Sequence, residues 1–400
     1  MKQELRIASI GNVDSAKTTT LSVLANNNLD NGRGSARKLF MKHPHEEISG
    51  RTSSITQNYI ETDSSIIGFI DLAGHHKYLK TTVSGLNGCF IDYVMITIGA
   101  DRGIIGMTKE HLTIALALKI PIFIVITKID IAVEHKLKKI RQRLSEIFNH
   151  PLAGKKHLKY FTNDNIMDNI SDYSPPVNYI PVFETSNVTG INIDCLRKFI
   201  YSLKKHQYIG NSENKNPLFK IDDTFKLDGL GIIVSGMVSE GTIFKNSNMF
   251  IGPFDGEFIP VQVRSIHNNF RESQNYLMSG QCGCLNIRVI HSKKNTLNRN
   301  KIKKGVILIG TPNCIRKFDA NVTILHHPTT ICNNYEPVIH CGTVRQTAKI
   351  CKMDKELIRT GDNATVTFEF KFKPEFIELN NKIIFREGNT KGVGTIIKTY

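Results

Sequence analysis

The 400-residue sequence predicts an α/β domain, a mostly parallel sheet with helices on both faces, followed by two all-β barrel domains. Three observations lead there. Up to about residue 203, short apolar runs alternate with segments of helical length, and polar clusters stand at the C-terminal ends of the runs. Residues 204–217, Lys-Lys-His-Gln-Tyr-Ile-Gly-Asn-Ser-Glu-Asn-Lys-Asn-Pro, carry no core signal, and beyond them the apolar period changes to two. Thr311-Pro312 then interrupts that pattern before it repeats to residue 400. The expected divisions are 1–203 for the α/β domain, 204–217 for a linker, 218–312 for the first barrel and 313–400 for the second.

Apolar residues make up 40% and charged residues 22%, a balance that suits a soluble chain with a sizeable core. No apolar run approaches the roughly 18 residues that a membrane helix requires. The longest, residues 120–126, is interrupted by Pro121 and reads as a buried parallel strand. The N-terminus shows no apolar leader, so a cytoplasmic chain without membrane contact is expected. The 8 cysteines are scattered, and Cys282-Gly-Cys284 has the wrong spacing for a zinc knuckle, so they read as reduced core thiols. A net charge of +16, spread along the chain, points to a polyanionic partner. The abundance of Lys, Asn and Ile is also what an AT-rich genome would produce, and that competing explanation stays open.

The first strand, residues 5–10, runs into Gly-Asn-Val-Asp-Ser-Ala-Lys-Thr-Thr at 11–19, and Leu21, Val23, Leu24 and Ala25 open a helix. Strand, glycine turn, Lys-Thr and helix form the setting of a phosphate loop. Backbone N–H groups of Gly11, Asn12, Val13, Asp14, Ser15 and Ala16 would wrap phosphate, and the helix N-terminus adds partial positive charge. Lys17 would reach the β- and γ-phosphates, Thr18 would ligate Mg²⁺, and Thr19 completes the turn. Ala16 stands where the pattern asks for glycine; its Cβ resists a positive φ. Taken alone, so altered a loop is equally an ordinary strand–turn–helix.

Residues 26–58 are polar and weakly periodic, a long loop of the kind that carries function. The strand at 66–70 ends in Asp71-Leu72-Ala73-Gly74-His75. There Asp71 can hold Mg²⁺ through water and the Gly74 N–H can meet a γ-phosphate. A strand at 93–98, a helix at 108–118 and a strand at 121–126 lead to Thr127-Lys128-Ile129-Asp130. The Asp130 carboxylate can accept both the N1–H and the 2-amino hydrogens of guanine, a pairing that adenine does not offer. Lys128 would lie along the base. Thr127 replaces the usual asparagine and keeps a hydroxyl but no amide. In this order and at strand ends, the three elements specify GTP.

A basic helix runs to about residue 149, and 151–176 reads as a surface insertion ending in Pro175-Pro176. The strand at 179–183 leads into Glu-Thr-Ser-Asn-Val-Thr-Gly at 184–190, where Ser186 and Asn187 could present N–H groups to the guanine O6. A helix at 193–203 closes the domain. In the first barrel, strands are expected within 219–238 and at 248–252, 258–266, 282–290 and 305–309. In the second they are expected at 319–326, 337–350, 363–372, 382–386 and 394–398.

Together these segments resemble the translational GTPases of the elongation factor Tu and 1-alpha type, and within them the group of GTP-binding proteins 1 and 2. In the first domain the likeness rests on residues 11–14, 29–34 and 49–54, and on the strand-end runs 71–75, 127–130 and 186–190. It continues in Ile-Asp-Asp-Thr-Phe at 221–225, Gly-Ile-Ile-Val-Ser-Gly at 231–236, the run 340–347 and Phe-Arg-Glu-Gly at 385–388. The resemblance implies a P-loop GTPase domain followed by two β-barrels that together hold an acceptor-type RNA against the ribosome. It implies that His75 orients the attacking water, that Val13 is half of a hydrophobic gate, and that Asp14 holds a cation near the phosphates. It places Ser54 as a switch ligand of Mg²⁺, with Thr52 and Ser53 beside it; Ser53 stands where the other half of the gate is normally isoleucine.

The expected protein is a monomeric GTPase that uses GTP/GDP and Mg²⁺ and acts as a switch on the ribosome or tRNA. A GTP-loaded adaptor in RNA surveillance with incidental hydrolysis is the alternative. No internal arginine finger is evident in the sequence.

Overall fold

The computed structural model describes residues 3–38, 56–72, 74, 91–149, 153–166, 173, 175, 177–205, 216–227, 231–268, 272–290, 297, 302, 306–342, 344–387 and 390–400. The chain divides into two compact units, residues 1–206 and 207–400.

Among the described residues, the first unit has seven strands: β1 (Gln3–Gly11), β2 (Thr56–Glu61), β3 (Ser65–Asp71), β4 (Tyr93–Gly99), β5 (Ile122–Thr127), β6 (His157–Phe161) and β7 (Tyr179–Glu184). Its helices are α1 (Lys17–Asn26), the single turn α2 (Ser35–Lys38), α3 (Gly106–Ala117), α4 (Glu134–Asn149) and α5 (Ile193–Ser202). The strand order is β2-β3-β1-β4-β5-β7-β6, and every pairing is parallel except β2 with β3.

Strands β3, β4 and β5 are buried along their whole length, which is why they read as unbroken apolar runs. The side-chain alternation of a strand sends successive residues to opposite faces. Ala8, Ile10, Ile96 and Ile124 pack with Leu112 of α3 and Leu137, Ile140 and Leu144 of α4. Leu5, Ile7, Met95 and Phe123 pack on the other side with Leu21 and Leu24 of α1 and Leu196 and Phe199 of α5. Two cores on one sheet are the physical content of the expected two-faced architecture.

Two edge strands depart from the sequence expectation. Strand β2 begins inside the segment expected to be loop and pairs antiparallel with β3. Strand β6 lies inside the expected surface insertion at 151–176 and pairs parallel with β7. Of its five residues, His-Leu-Lys-Tyr-Phe, only Phe161 is buried, so no clean period marks them. What holds them is aromatic: the Phe161 ring stacks on Phe183 at 5.4 Å between centroids, and Ile166 and Tyr173 are buried nearby.

The second unit holds the two barrels. The first comprises β8 (Leu218–Leu227), β9 (Gly231–Glu240), β11 (Asn248–Phe254), β12 (Glu257–Asn268), β15 (Cys282–Val289) and β16 (Ile307–Ile309). They run β11-β16-β8-β9-β15-β12, and the pairing of β11 with β12 closes the ring. A short β13 (Ser273–Gln274) extends β12, and β10 (Thr242–Phe244) pairs with β14 (Tyr276–Met278) as a separate ribbon.

The second barrel is closed in the order β17-β20-β19-β18-β21-β22, from β17 (Lys317–His326), β18 (Val338–Cys341), β19 (Val344–Met353), β20 (Asn363–Phe370), β21 (Lys382–Glu387) and β22 (Thr390–Thr399). Alternate residues of β17 and β20 are buried, and Phe318, Phe368, Phe370 and Phe385 fill the centre. The single strand expected at 337–350 is a hairpin of two, turning at Gly342 with φ 55°. Inside this unit Phe376 packs against Leu218, Ile307 and Ile309, and Lys220 pairs with Glu378 at 3.1 Å. Among the described residues no helix is long and apolar enough to cross a membrane.

Candidate functional site

Motifs far apart in sequence meet at the carboxyl ends of β1, β3, β4, β5 and β7, where ligands bind in open parallel sheets. The turn from β1 to α1 needs glycine at its start, because a Cβ on Gly11 would lie 2.2 Å from the Thr97 carbonyl oxygen. Asp14 and Ala16 both take a left-handed backbone, φ 62° and 61°. The positive φ that glycine would normally supply before the lysine is thus adopted by alanine. No side chain caps α1, so its first-turn N–H groups are not covered by a cap and face the turn.

Three donors converge on one oxygen inside the turn. The Asn12 carbonyl accepts from the Ser15 N–H at 3.4 Å, the Ser15 hydroxyl at 2.8 Å and Lys17 Nζ at 2.7 Å. Lys17 is buried, and burial pushes its pKa down, opposed by the carboxylates of Asp71 and Asp14. The second phosphate element comes directly against it: a Cβ on Gly74 would lie 2.5 Å from Lys17 Nζ and 2.7 Å from the Gly11 carbonyl oxygen. Only a glycine fits there.

The Thr18 hydroxyl donates to Asp71 Oδ2 at 2.6 Å, so the two oxygens expected at Mg²⁺ are already adjacent. Hard oxygen donors of this kind suit Mg²⁺, which takes most of its shell from phosphate and water.

The base elements are tied to the phosphate turn. Thr127 is buried, and its hydroxyl donates to the Ser15 carbonyl at 3.0 Å. Lys128 takes φ 61° and its Nζ donates to Asp101 Oδ2 at 3.1 Å. Asp130 is exposed on the 3₁₀ turn Ile129–Ile131. Asn187 Nδ2 donates to the Thr20 hydroxyl at 2.9 Å, and Thr20 in turn donates to the Ala16 carbonyl at 2.9 Å. Ser186 is engaged within its own turn: its N–H goes to the Ile191 carbonyl at 3.1 Å, and its hydroxyl accepts from the Val188 and Thr189 N–H groups. Beneath the loop, Arg141 of α4 makes a two-pronged pair with Glu184 at the end of β7, 2.7 Å on each side.

Ser54 and His75, with Thr52, Ser53 and Ala73, lie outside the described residues. Val13 is partly buried in the turn, and Thr19 follows Thr18 on α1. Three participants escaped the sequence reading. His111 of α3 is fully buried, and burial together with the Lys17 charge brings its pKa down to about 4, so the ring is neutral. Asp101 and Arg102 follow β4; Asp101 reaches Lys128, and Arg102 reaches Asp14 at 3.1 Å. No internal arginine was expected at the phosphates, yet this one pairs with the loop. Its signal was positional: a charged pair just past the carboxyl end of a central strand.

The chain is similar to known proteins. Residues 2–206 match the family described as Elongation factor Tu GTP binding domain, and residues 311–400 match Elongation factor Tu C-terminal domain. GTP-binding protein 1 of Xenopus laevis is 38% identical over 99% of this chain and 63% of its own length. GTP-binding protein 2 of Homo sapiens is 34% identical over 98% of this chain and 69% of its own length. The chain therefore spans a little under two thirds of the first relative and a little over two thirds of the second. In fold, it is similar to the S. cerevisiae Ski7 GTPase-like domain, bound to GTP, with a TM-score of 0.78, 14% identity and coverage of 99% of this chain and 97% of that one. A phosphate turn, an Asp-x-x-Gly element and a Thr-Lys-x-Asp element on one sheet, joined to this match over half of the chain, place the protein in the translational GTPase family of the elongation factor Tu type.

Proposed function

We propose that the chain is a GTP-hydrolysing switch that acts on the ribosome or tRNA, with 204–217 as the linker between its GTPase domain and its barrels. The observation that carries this reading is the convergence of Lys17, Thr18, Asp71 and Gly74 where β1 turns into α1 and β3 ends. In such a site Lys17 and the N–H groups of the turn hold the phosphates, and Gly74 follows the γ-phosphate. Asp130 and Lys128 select guanine, and the Asn187 N–H meets the guanine O6. Thr18 and Asp71, joined by Ser54, would hold Mg²⁺, and the bound ion supplies charge neutralisation at the β- and γ-phosphates. His75 orients the water for in-line attack, and Val13 screens it.

Loss of the γ-phosphate removes a ligand of Gly74, so the two nucleotide states differ where Asp71 and Gly74 meet the phosphate turn. That difference is what a partner can read. The charge of +16 supports an RNA-containing partner.

The test is GTP turnover by the wild type and His75→Ala, each with and without ribosomes. Ribosome-stimulated turnover that falls about 10²-fold in the variant, with GTP binding retained, is expected. Turnover indifferent to ribosomes would instead support the GTP-loaded adaptor.

A further inference from the structure

The turn after β4 carries two adjacent charges, and each grips a different part of the nucleotide site. Asp101 Oδ2 accepts from Lys128 Nζ at 3.1 Å, and Arg102 Nη2 lies 3.1 Å from Asp14 Oδ2. The turn itself is firmly seated. The Ala100 N–H donates to the Thr127 carbonyl at 2.9 Å, and the Gly103 N–H donates to the Gly99 carbonyl at 2.8 Å. Lys136 Nζ adds a bond to the Asp101 carbonyl at 3.2 Å. Asn12, Val13, Asp14 and Ser15 share a cleft with Gly99 and with Asp101, Arg102 and Gly103 of this turn.

Asp14 is an electrostatic liability where it stands. Its carboxylate sits in a turn whose N–H groups are arranged for phosphate, and like charges a few ångströms apart repel. The nearby Lys17 ammonium is buried against Asn12 and is divided between the Asp71 and Asp14 carboxylates, Asp71 having the larger effect. Arg102 supplies a positive charge dedicated to Asp14. Its guanidinium is a planar fork that matches a carboxylate, and the seated turn presets its backbone position.

We infer that Arg102 is the built-in counter-cation of the phosphate turn: by neutralising Asp14 it lets the turn accept a triphosphate, and it favours GTP over GDP. This rests on the nucleotide-binding reading of the site. Arg102 acts through Asp14 and is a positioning residue. Asp101, one residue earlier, ties the same turn to the base element, so phosphate and base contacts are set by one rigid piece of chain.

The experiment is equilibrium binding of GTP and of GDP, each with Mg²⁺, to wild type, R102A, R102K, D14N and D14N/R102A. Circular dichroism checks the fold, which a half-exposed surface residue should leave intact. An exposed ion pair sets the scale, so R102A should weaken GTP about five-fold. GDP, with one phosphate fewer, should weaken less. R102K should bind close to wild type, and D14N/R102A should return to the D14N value, because no carboxylate then remains to neutralise. Wild-type GTP affinity in R102A overturns the inference. So does an equal loss of GTP and GDP that persists in D14N/R102A. A wild type that binds neither nucleotide overturns the site reading itself, and the two failures are thereby distinct.

Discussion

Thr127 donates its hydroxyl to the main-chain carbonyl of Ser15 at 3.0 Å, joining residues 112 apart in sequence. The base element and the phosphate turn are therefore struts of one frame, although the residue usual at this position is asparagine. Thr127→Val keeps the shape and removes the bond. A buried hydrogen bond of this kind contributes about 1 kcal/mol, so GTP affinity should fall roughly five-fold. Titration of the two proteins decides; equal affinity would show that the strut is dispensable.

Ala16 holds φ 61° and ψ 27°, a left-handed conformation in which a Cβ costs about 1 kcal/mol or more. Ala16→Gly relieves the strain while loosening the unfolded chain, two effects of opposite sign. The net expectation is a gain of about 0.5 kcal/mol in stability and GTP binding at least as tight. Thermal unfolding and nucleotide titration check it. A less stable glycine variant would mean that the turn is adapted to alanine.

Asp130 stands exposed beside Lys128 on the turn that follows β5. Asp130→Asn exchanges an acceptor for an amide, so GTP should bind weakly and xanthosine triphosphate, with a 2-oxo group, should bind instead. Competition between the two nucleotides measures the exchange. Unchanged preference for GTP would remove Asp130 from the base site.

Asp92 and His111 are both buried, and their protons act on stability in opposite directions. Burial raises the Asp92 pKa from 3.8 to about 6, although the Arg6 N–H donates to its Oδ2 at 2.8 Å. The fold then holds a proton that the unfolded chain has released, so this contribution to stability is lost as pH rises from about 4 to about 6. His111 is the reverse: neutral in the fold with a pKa of about 4 against 6.5, it favours folding above 6.5 and loses that contribution as pH falls towards 4. Each amounts to about 3 kcal/mol, and over the shared window they largely cancel.

Asp92→Asn mimics the protonated acid. It should match the wild type near pH 4 and exceed it by about 3 kcal/mol at pH 7. Denaturant unfolding at the two pH values reads the difference. The same gap at both would show that Asp92 carries no buried charge.

What the sequence determined by itself lay in patterns that repeat or punctuate. Unbroken apolar runs marked β3, β4 and β5 because both faces of those strands are covered, and alternation marked β17 and β20 because a barrel strand has one face inside. Gly11, Lys17, Thr18 and Asp71 stood out in the sequence because a phosphate loop would permit few residue types at those spacings, and the structure brings Thr18 to Asp71. The tertiary structure decided the rest. Strand β6 hides in a polar stretch because an edge strand is half solvated and its hold, Phe161 on Phe183, is invisible to periodicity. The charge of Arg102 looks like any surface charge until the turn after β4 brings it to Asp14. His111 carries an ordinary helix position, and only burial in the fold, with the Lys17 charge added, brings its pKa down. Local pattern records what a backbone element needs from its own residues; pairing across 88 or 112 positions depends on a sheet that brings strand ends together, and no local pattern encodes it.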